Sequence, residues 1–241
     1  MGFGKVGQGM KVAIYSDVVC PWCAIGKRRF ESAMSRFEHA DEVEVEWRAF
    51  ELDPNAPRRR EGDYVGRLAR KYGISREQAV AANENLTAMA AAEGLEFHFA
   101  DAKPGNTFDA HRLLHFARGL GLQDALKERL FVAYFTEGEP IGEHDTLVLL
   151  AAEVGLDPVA VREVLESEAF AAEVRADEAD AQELGVSGVP FFVVDGRFGI
   201  PGAQDADTIL GVLNRAWDRA HPLTVITPDA TVACEGDNCT V

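Results

Sequence analysis

The chain has 241 residues, 47% hydrophobic and 27% charged, which suits one large globular domain or a small domain carrying a sizeable insertion. Lys and Arg number 24 against 40 Asp and Glu, a net charge of −16, which argues against nucleic acid as a partner because a polyanion would be repelled. Apolar runs such as Leu147 to Ala152 are too short to cross a bilayer, and four cysteines are too few for a disulfide scaffold; with no leader pattern at the start, a reducing, cytoplasmic setting is expected.

Residues 1–10 are glycine-rich and read as an extension. They contain Gly2-Phe3-Gly4-Lys5-Val6-Gly7, a formal dinucleotide fingerprint. That motif works only after a strand and at the start of a helix, whereas here a strand follows it, so it is set aside. Val12 to Ser16 reads as a short buried strand. Cys20-Pro21-Trp22-Cys23 comes next, then a helix with Phe30, Ala33, Met34 and Phe37 at helical spacing. Val43, Val45, Trp47 and Ala49 then alternate with Glu42, Glu44, Glu46 and Arg48, which predicts a strand with one wet face.

After a connector rich in proline and arginine (Asp53 to Glu61), helical signals take over. Ser75 with Gln78 is a capping-box pattern. Leu113, Leu114 and Ala117 form one stripe, and Leu122, Leu126 and Leu130 another. Asp145 is a candidate cap for a helix carrying Leu147, Leu150, Ala151 and Val154. Asp157-Pro158 predicts a cap and first-turn proline before Val161, Val164 and Leu165. Strand character returns at Phe191 to Val194, with an Asp195-Gly196 hairpin turn and a partner strand at Arg197 to Ile200. A final helix carries Ile209, Leu213 and Trp217, and the last residues lose periodicity. The predicted class is therefore α/β, β-α-β … β-β-α, interrupted by a large all-helical insertion and ending in an irregular tail. The boundaries expected are 11–60 and 185–220 for the α/β part, 61–184 for the insertion and 221–241 for the tail.

The Cys-x-x-Cys carries the chemistry. A helix N-terminus presents unpaired N–H groups and partial positive charge, which favour a thiolate. Cys20 is thus the candidate nucleophile and Cys23, one turn on, the resolving thiol. Pro21 suits the first helical turn and stiffens the loop. Trp22 is a candidate lip of the substrate groove. Pro21-Trp22 puts no cation between the sulfurs, and a nearby Asp17 would disfavour a thiolate, so Cys20 is expected to be less acidic than in strong oxidants. Gly188-Val189-Pro190-Phe191 places a proline at a strand start, a candidate cis peptide. It would set a ring against the sulfur and offer the Val189 backbone to an extended peptide.

Ser16-Asp17-Val18-Val19-Cys20-Pro21-Trp22-Cys23, Gly188-Val189-Pro190-Phe191-Phe192 and Gly202-Ala203-Gln204 together resemble DsbA-like thioredoxin-fold proteins, nearest the cytoplasmic FrnE group. Asn106-Thr107 and Ala110-His111-Arg112-Leu113 add to the likeness, which spans about Lys11 to Ala220. It implies a thioredoxin fold with a helical insertion and dithiol–disulfide exchange on protein or peptide disulfides. No dissociable cofactor is implied, and the electrons would come from a thiol reductant such as glutathione. It also makes Asn106 and His111 candidates for the groove wall. Relatives with a single serine or cysteine are kappa-class glutathione transferases and hydroxychromene-carboxylate isomerases. A glutathione-dependent isomerase or transferase acting on a small aromatic substrate is therefore one alternative, and a redox-regulated chaperone or sensor is another.

Cys234 and Cys239 depart from the family pattern. They read first as a structural or auxiliary redox pair, next as a relay to Cys20 and Cys23, and last as half of a four-cysteine zinc site. His111 and His115 have an i, i+4 spacing that can bind metal. With no third ligand in pattern, packing or hydrogen bonding is the expected role and no metal is predicted.

Overall fold

The computed structural model describes residues 9–60 and 63–222. Strand β1 (Met10–Ser16), helix α1 (Pro21–Met34) and strand β2 (Val43–Ala49) form the opening β-α-β unit. Seven helices follow: α2 (Tyr64–Tyr72), α3 (Arg76–Ala92), α4 (Phe108–Arg118), α5 (Gln123–Phe135), α6 (His144–Glu153), α7 (Pro158–Glu166) and α8 (Ala171–Glu183). The chain returns to the sheet through β3 (Phe191–Val194) and β4 (Phe198–Pro201) and closes with α9 (Ala206–Ala220). The sheet order is β2-β1-β3-β4. β1 and β2 are parallel, β3 is antiparallel to both β1 and β4, and Ile14 sits between Trp47 and Phe192. This is the thioredoxin fold with a helical insertion that the residue pattern and the resemblance led us to expect.

Strand periodicity divides the side chains between two layers. Val12, Ile14, Phe192 and Val194 face α1 and α9, where they meet Phe30, Ala33, Ile209 and Leu213. Tyr15, Phe191 and Val193 turn to the other face, beside Ala181 and Val186. The predicted leucine stripes of the insertion are buried together in a second core, which extends under the first turns of α1 and takes in Cys20, Cys23, Ala24 and Ile25. Asp195 and Gly196 both have positive φ, 49° and 63°, and with Arg197 they form a three-residue turn between the paired Val194 and Phe198, so β4 starts one residue after the expected Arg197.

Ser75 and Gln78 do close a capping box, with Gln78 N–H donating to Ser75 Oγ at 3.2 Å and Ser75 N–H to Gln78 Oε1 at 2.9 Å. Asp157 caps α7 as predicted. Four local expectations are corrected. β1 starts at Met10, earlier than Val12, and α1 ends at Met34, so Phe37 reaches the same core from beyond the helix. Glu143, not Asp145, holds the N-cap position of α6, and Asp145 lies in the first turn, where the helix dipole favours an acid. The predicted wet face of β2 is half covered. Glu46 is buried because Arg118 at the end of α4 and Arg48 pair with it, while α8 brings Asp177 to 2.7 Å from Arg48.

Candidate active site

Cys20 is the N-cap of α1, with extended backbone (φ −91°, ψ 110°), and Pro21 stands in the first turn. The N–H groups of Cys23 and Ala24 donate to Cys20 O at 3.0 and 3.3 Å. The cysteine side chain thus sits at the end of the helix that favours negative charge. Cys20 Sγ donates to Val189 O at 3.4 Å, and the Val189–Pro190 peptide is cis. Gly26 allows that approach, since a Cβ there would stand 2.9 Å from Pro190 Cγ. Both cysteines are buried thiols, 4% and 1% exposed. Trp22, at 41% exposure, stands beside them at the surface.

The charge around the pair comes from elsewhere in the chain. Lys127 of α5 is fully buried, with Nζ 3.4 Å from Ser16 O and 5.3 and 5.1 Å from the centroids of the Trp47 and Phe131 rings. Burial pushes its ammonium down to about 8, and the negative character of Cys23 and Asp17 opposes the drop. Burial would raise Cys23, but a hydrogen bond from Cys20, the Lys127 charge and the Ser16 hydroxyl hold it below an ordinary thiol. The Cys20 thiol is pushed up by its hydrogen bond with Cys23, by burial and by Asp17. This direction agrees with the expectation of a weakly acidic Cys20.

Asp17 is itself buried, and burial alone would raise its pKa. The His111 contact at 3.5 Å, the Leu52 N–H at 2.7 Å and the Lys127 charge keep it below the usual carboxylate range. Burial pushes His111 down, toward the neutral imidazole. His111 does not form a groove wall. His111 is 1% exposed beneath the active-site loop. Asn106 ties the start of α4, donating to Glu51 Oε1 and Pro54 O and accepting from Phe108 N–H. His115 turns to a different carboxylate, Asp177, at 2.9 Å. Among the described residues no group of three His, Cys, Asp or Glu side chains could hold a metal. Cys234 and Cys239 lie outside the described residues.

Lys127 is the site residue that sequence reasoning missed. It shares a helical stripe with Phe131 and Tyr134, and a lysine interrupting an apolar stripe was the available signal. Its removal should be felt by the thiols. Lys127→Met is expected to raise the titration midpoint of the pair and slow exchange at neutral pH about tenfold, the cost of one pKa unit. Thiolate absorbance followed against pH checks this, and an unmoved curve would show that Lys127 does not act on the sulfurs.

Comparison with known proteins places this geometry. Residues 11–214 match the DSBA-like thioredoxin domain family. A crystal structure described as a probable DsbA oxidoreductase from Streptomyces coelicolor is 45% identical, covers 96% of this chain and 99% of its own, and superposes with a TM-score of 0.84. The Bacillus subtilis protein YwbO is 33% identical over 198 residues, 81% of this chain and 92% of its own. The cytosolic disulfide reductase DsbM of Pseudomonas aeruginosa shares the fold at 20% identity and a TM-score of 0.60, over 87% of this chain and 99% of its own.

Proposed function

The chain belongs to the DSBA-like thioredoxin domain family and is a thiol–disulfide oxidoreductase, and we propose that it reduces or isomerises protein disulfides through Cys20 and Cys23. The observation that carries this reading is the placement of Cys20, at the N-cap of α1 with its sulfur on the carbonyl of Val189 beside cis-Pro190. A substrate strand lying along that carbonyl would present its disulfide to Cys20.

Cys20 thiolate attacks one substrate sulfur. A Cys20–substrate S–S bond forms as the substrate S–S bond breaks, and the leaving thiolate takes up a proton. Cys23 then loses its proton and attacks Cys20 Sγ, releasing the second substrate thiol. The enzyme pair gives up two electrons and two protons and becomes a disulfide, and the substrate becomes two thiols. Lys127 stabilises the charge on Cys23 as it becomes the attacking group. A thiol reductant, of which glutathione is one, returns the pair to the dithiol, so no dissociable cofactor takes part.

The reductive direction rests on Cys20. A strongly oxidising member of this chemistry owes its potential to a stabilised thiolate in the reduced form. Here the hydrogen bond with Cys23, then burial and, least, the Asp17 charge work against that thiolate. We propose a cytoplasmic setting, where a thiol reductant can keep the pair in the dithiol form. The tail pair Cys234 and Cys239 is assigned a structural or auxiliary redox role.

The test is insulin-disulfide reduction with a thiol donor, run beside Cys23→Ser. The wild type is expected to turn over. Cys23→Ser, able to attack but not to resolve, should accumulate a mixed disulfide with the substrate peptide, read by mass. A Cys23→Ser protein that turns over like the wild type and traps nothing would refute the assignment of the resolving thiol.

A further inference from the structure

The sheet ends just short of the segment that meets the sulfur. Phe191 and Pro201 are the last paired residues of β3 and β4 at that end. Val189, whose carbonyl accepts from Cys20 Sγ at 3.4 Å, lies beyond them. One backbone bond carries the pairing further, with Gly202 N–H donating to Pro190 O at 2.8 Å. Gly202 has a φ of 73°, a conformation that glycine adopts without steric cost. The position of Val189 therefore depends on what holds the turn at Gly202 and Ala203.

Arg29 of α1 holds that turn. Its Nη1 donates to Ala203 O at 2.7 Å, and its Nε donates to Glu93 Oε1 at 2.6 Å. Among the described residues, the other polar contacts of Gly202, Ala203 and Gln204 stay within the turn or reach Pro190. Glu93 is the C-cap residue of α3, so one guanidinium joins α1, the helical insertion and the turn. Its planar fork suits two acceptors at once, and the side chain is only 23% exposed. A shift of Ala203 would be passed on, because Ala203 and Pro190 are neighbours across Gly26. A Cβ on Gly26 would stand 3.5 Å from Ala203 Cβ and 2.9 Å from Pro190 Cγ. Both Val189 and Ala203 pack against the core that the insertion forms. From Arg29 the contacts thus run through Ala203, Gly202, Pro190 and Val189 to Cys20.

We propose that Arg29 is a positioning residue for peptide disulfides. By holding Ala203 it sets the Val189–Pro190 segment against Cys20, and through Glu93 the insertion acts on that segment by way of Arg29. The inference rests on the exchange reading above and adds the side chain that places the backbone along which a substrate strand lies.

The test follows single-turnover oxidation of the reduced protein by two disulfides, the dimer of acetyl-Ala-Cys-Ala-amide and hydroxyethyl disulfide. Only the first has a backbone to lie along the Val189 carbonyl. At subsaturating concentration, Arg29→Met is expected to lower the peptide-to-small-disulfide rate ratio about tenfold, the equilibrium equivalent of one hydrogen bond to a charged group. The loss should lie in the half-saturating peptide concentration rather than in the limiting rate, the mark of lost binding. A ratio unmoved by Arg29→Met, or equal slowing of both disulfides, overturns the proposal. Should Arg29→Met fail to fold, Arg29→Gln is judged by the same outcomes.

Glu93→Gln should move the ratio in the same direction and add nothing in the Arg29→Met protein, since residues that act through one contact are not additive. A Glu93→Gln ratio at the wild-type value, or a further fall in the double variant, overturns the route through Arg29. If hydroxyethyl disulfide fails to oxidise the wild type, the exchange reading fails. Arg29 is then judged by calorimetric binding of the peptide dimer to Cys20→Ser/Cys23→Ser protein. Binding weakened about tenfold on adding Arg29→Met supports the role, and binding that is absent or unchanged overturns it.

Discussion

Cys20→Ser is expected to lower the rate of insulin-disulfide reduction at least about a thousandfold, as removal of an activated nucleophile does in other covalent mechanisms. Cys23 offers no substitute. It lies one turn inside α1, 1% exposed, with its charge held by the buried Lys127. Serine is a preferred N-cap residue, and Cys20 occupies the N-cap without a side-chain cap bond. The variant should therefore melt no lower than the wild type, which separates lost chemistry from lost fold. The wild-type rate should also climb with pH from neutral into the alkaline range. Its nucleophile is held above an ordinary thiol, so the thiolate fraction is still rising there. Full activity in Cys20→Ser, or a pH profile already flat at neutrality, would contradict this account.

Asp177→Ala is expected to destabilise the fold by about 3 kcal/mol, the lower end of what losing one partner of a buried charge pair costs. Asp177 on α8 is 1% exposed. It accepts from Arg48 Nη1 at 2.7 Å and from Ala49 N–H at 2.8 Å, both on β2, and contacts His115 of α4 at 2.9 Å. Arg48 keeps 28% of its side chain exposed, so water can partly compensate its loss, which sets the lower figure. Burial would raise the Asp177 carboxyl, but these three partners hold it below the usual range. A depressed folded pKa means that this stabilisation is present above about pH 4, the unfolded value, and fades as pH falls through the folded one. Urea unfolding at neutral and acid pH measures both effects. Asp177→Asn, which keeps an acceptor for Ala49, should recover part of the loss. A change under about 1 kcal/mol in Asp177→Ala would show that the contact does not hold α8 to the sheet.

The reacting centre could be read from the sequence because its chemistry is local. A cysteine before proline at a helix start, and a proline at a strand start after glycine, each fix a position within a few residues. Helical stripes and caps were legible for the same reason, with errors of one or two residues where Glu143 and Asp145 compete for one helix start. The surroundings of the sulfurs were not legible. Lys127 reaches Ser16, 111 residues away, and Asp177 reaches Arg48 across 129, and no spacing rule connects such residues. Glu46 and Arg48 alternate like a wet strand face until a helix from the insertion covers them. His111 was legible in part: packing or hydrogen bonding was expected of it and is found, at 1% exposure beside Asp17, whereas the groove-wall role that the resemblance implied is not.

Cys20 and Cys23 share their apolar neighbours with the leucines of the helical insertion rather than with those of the sheet. Proteins open in cooperative units whose free energies differ. The shielding of these sulfurs is therefore governed by the helical unit, and a fluctuation that loosens it bares them even while the strands stay paired. Alkylation of the thiols would then report the opening equilibrium of that unit, and amide exchange in β1 and β3 that of the sheet. Drift in the leucine core, far from any substrate, would be registered as a change in cysteine reactivity before it was registered as unfolding.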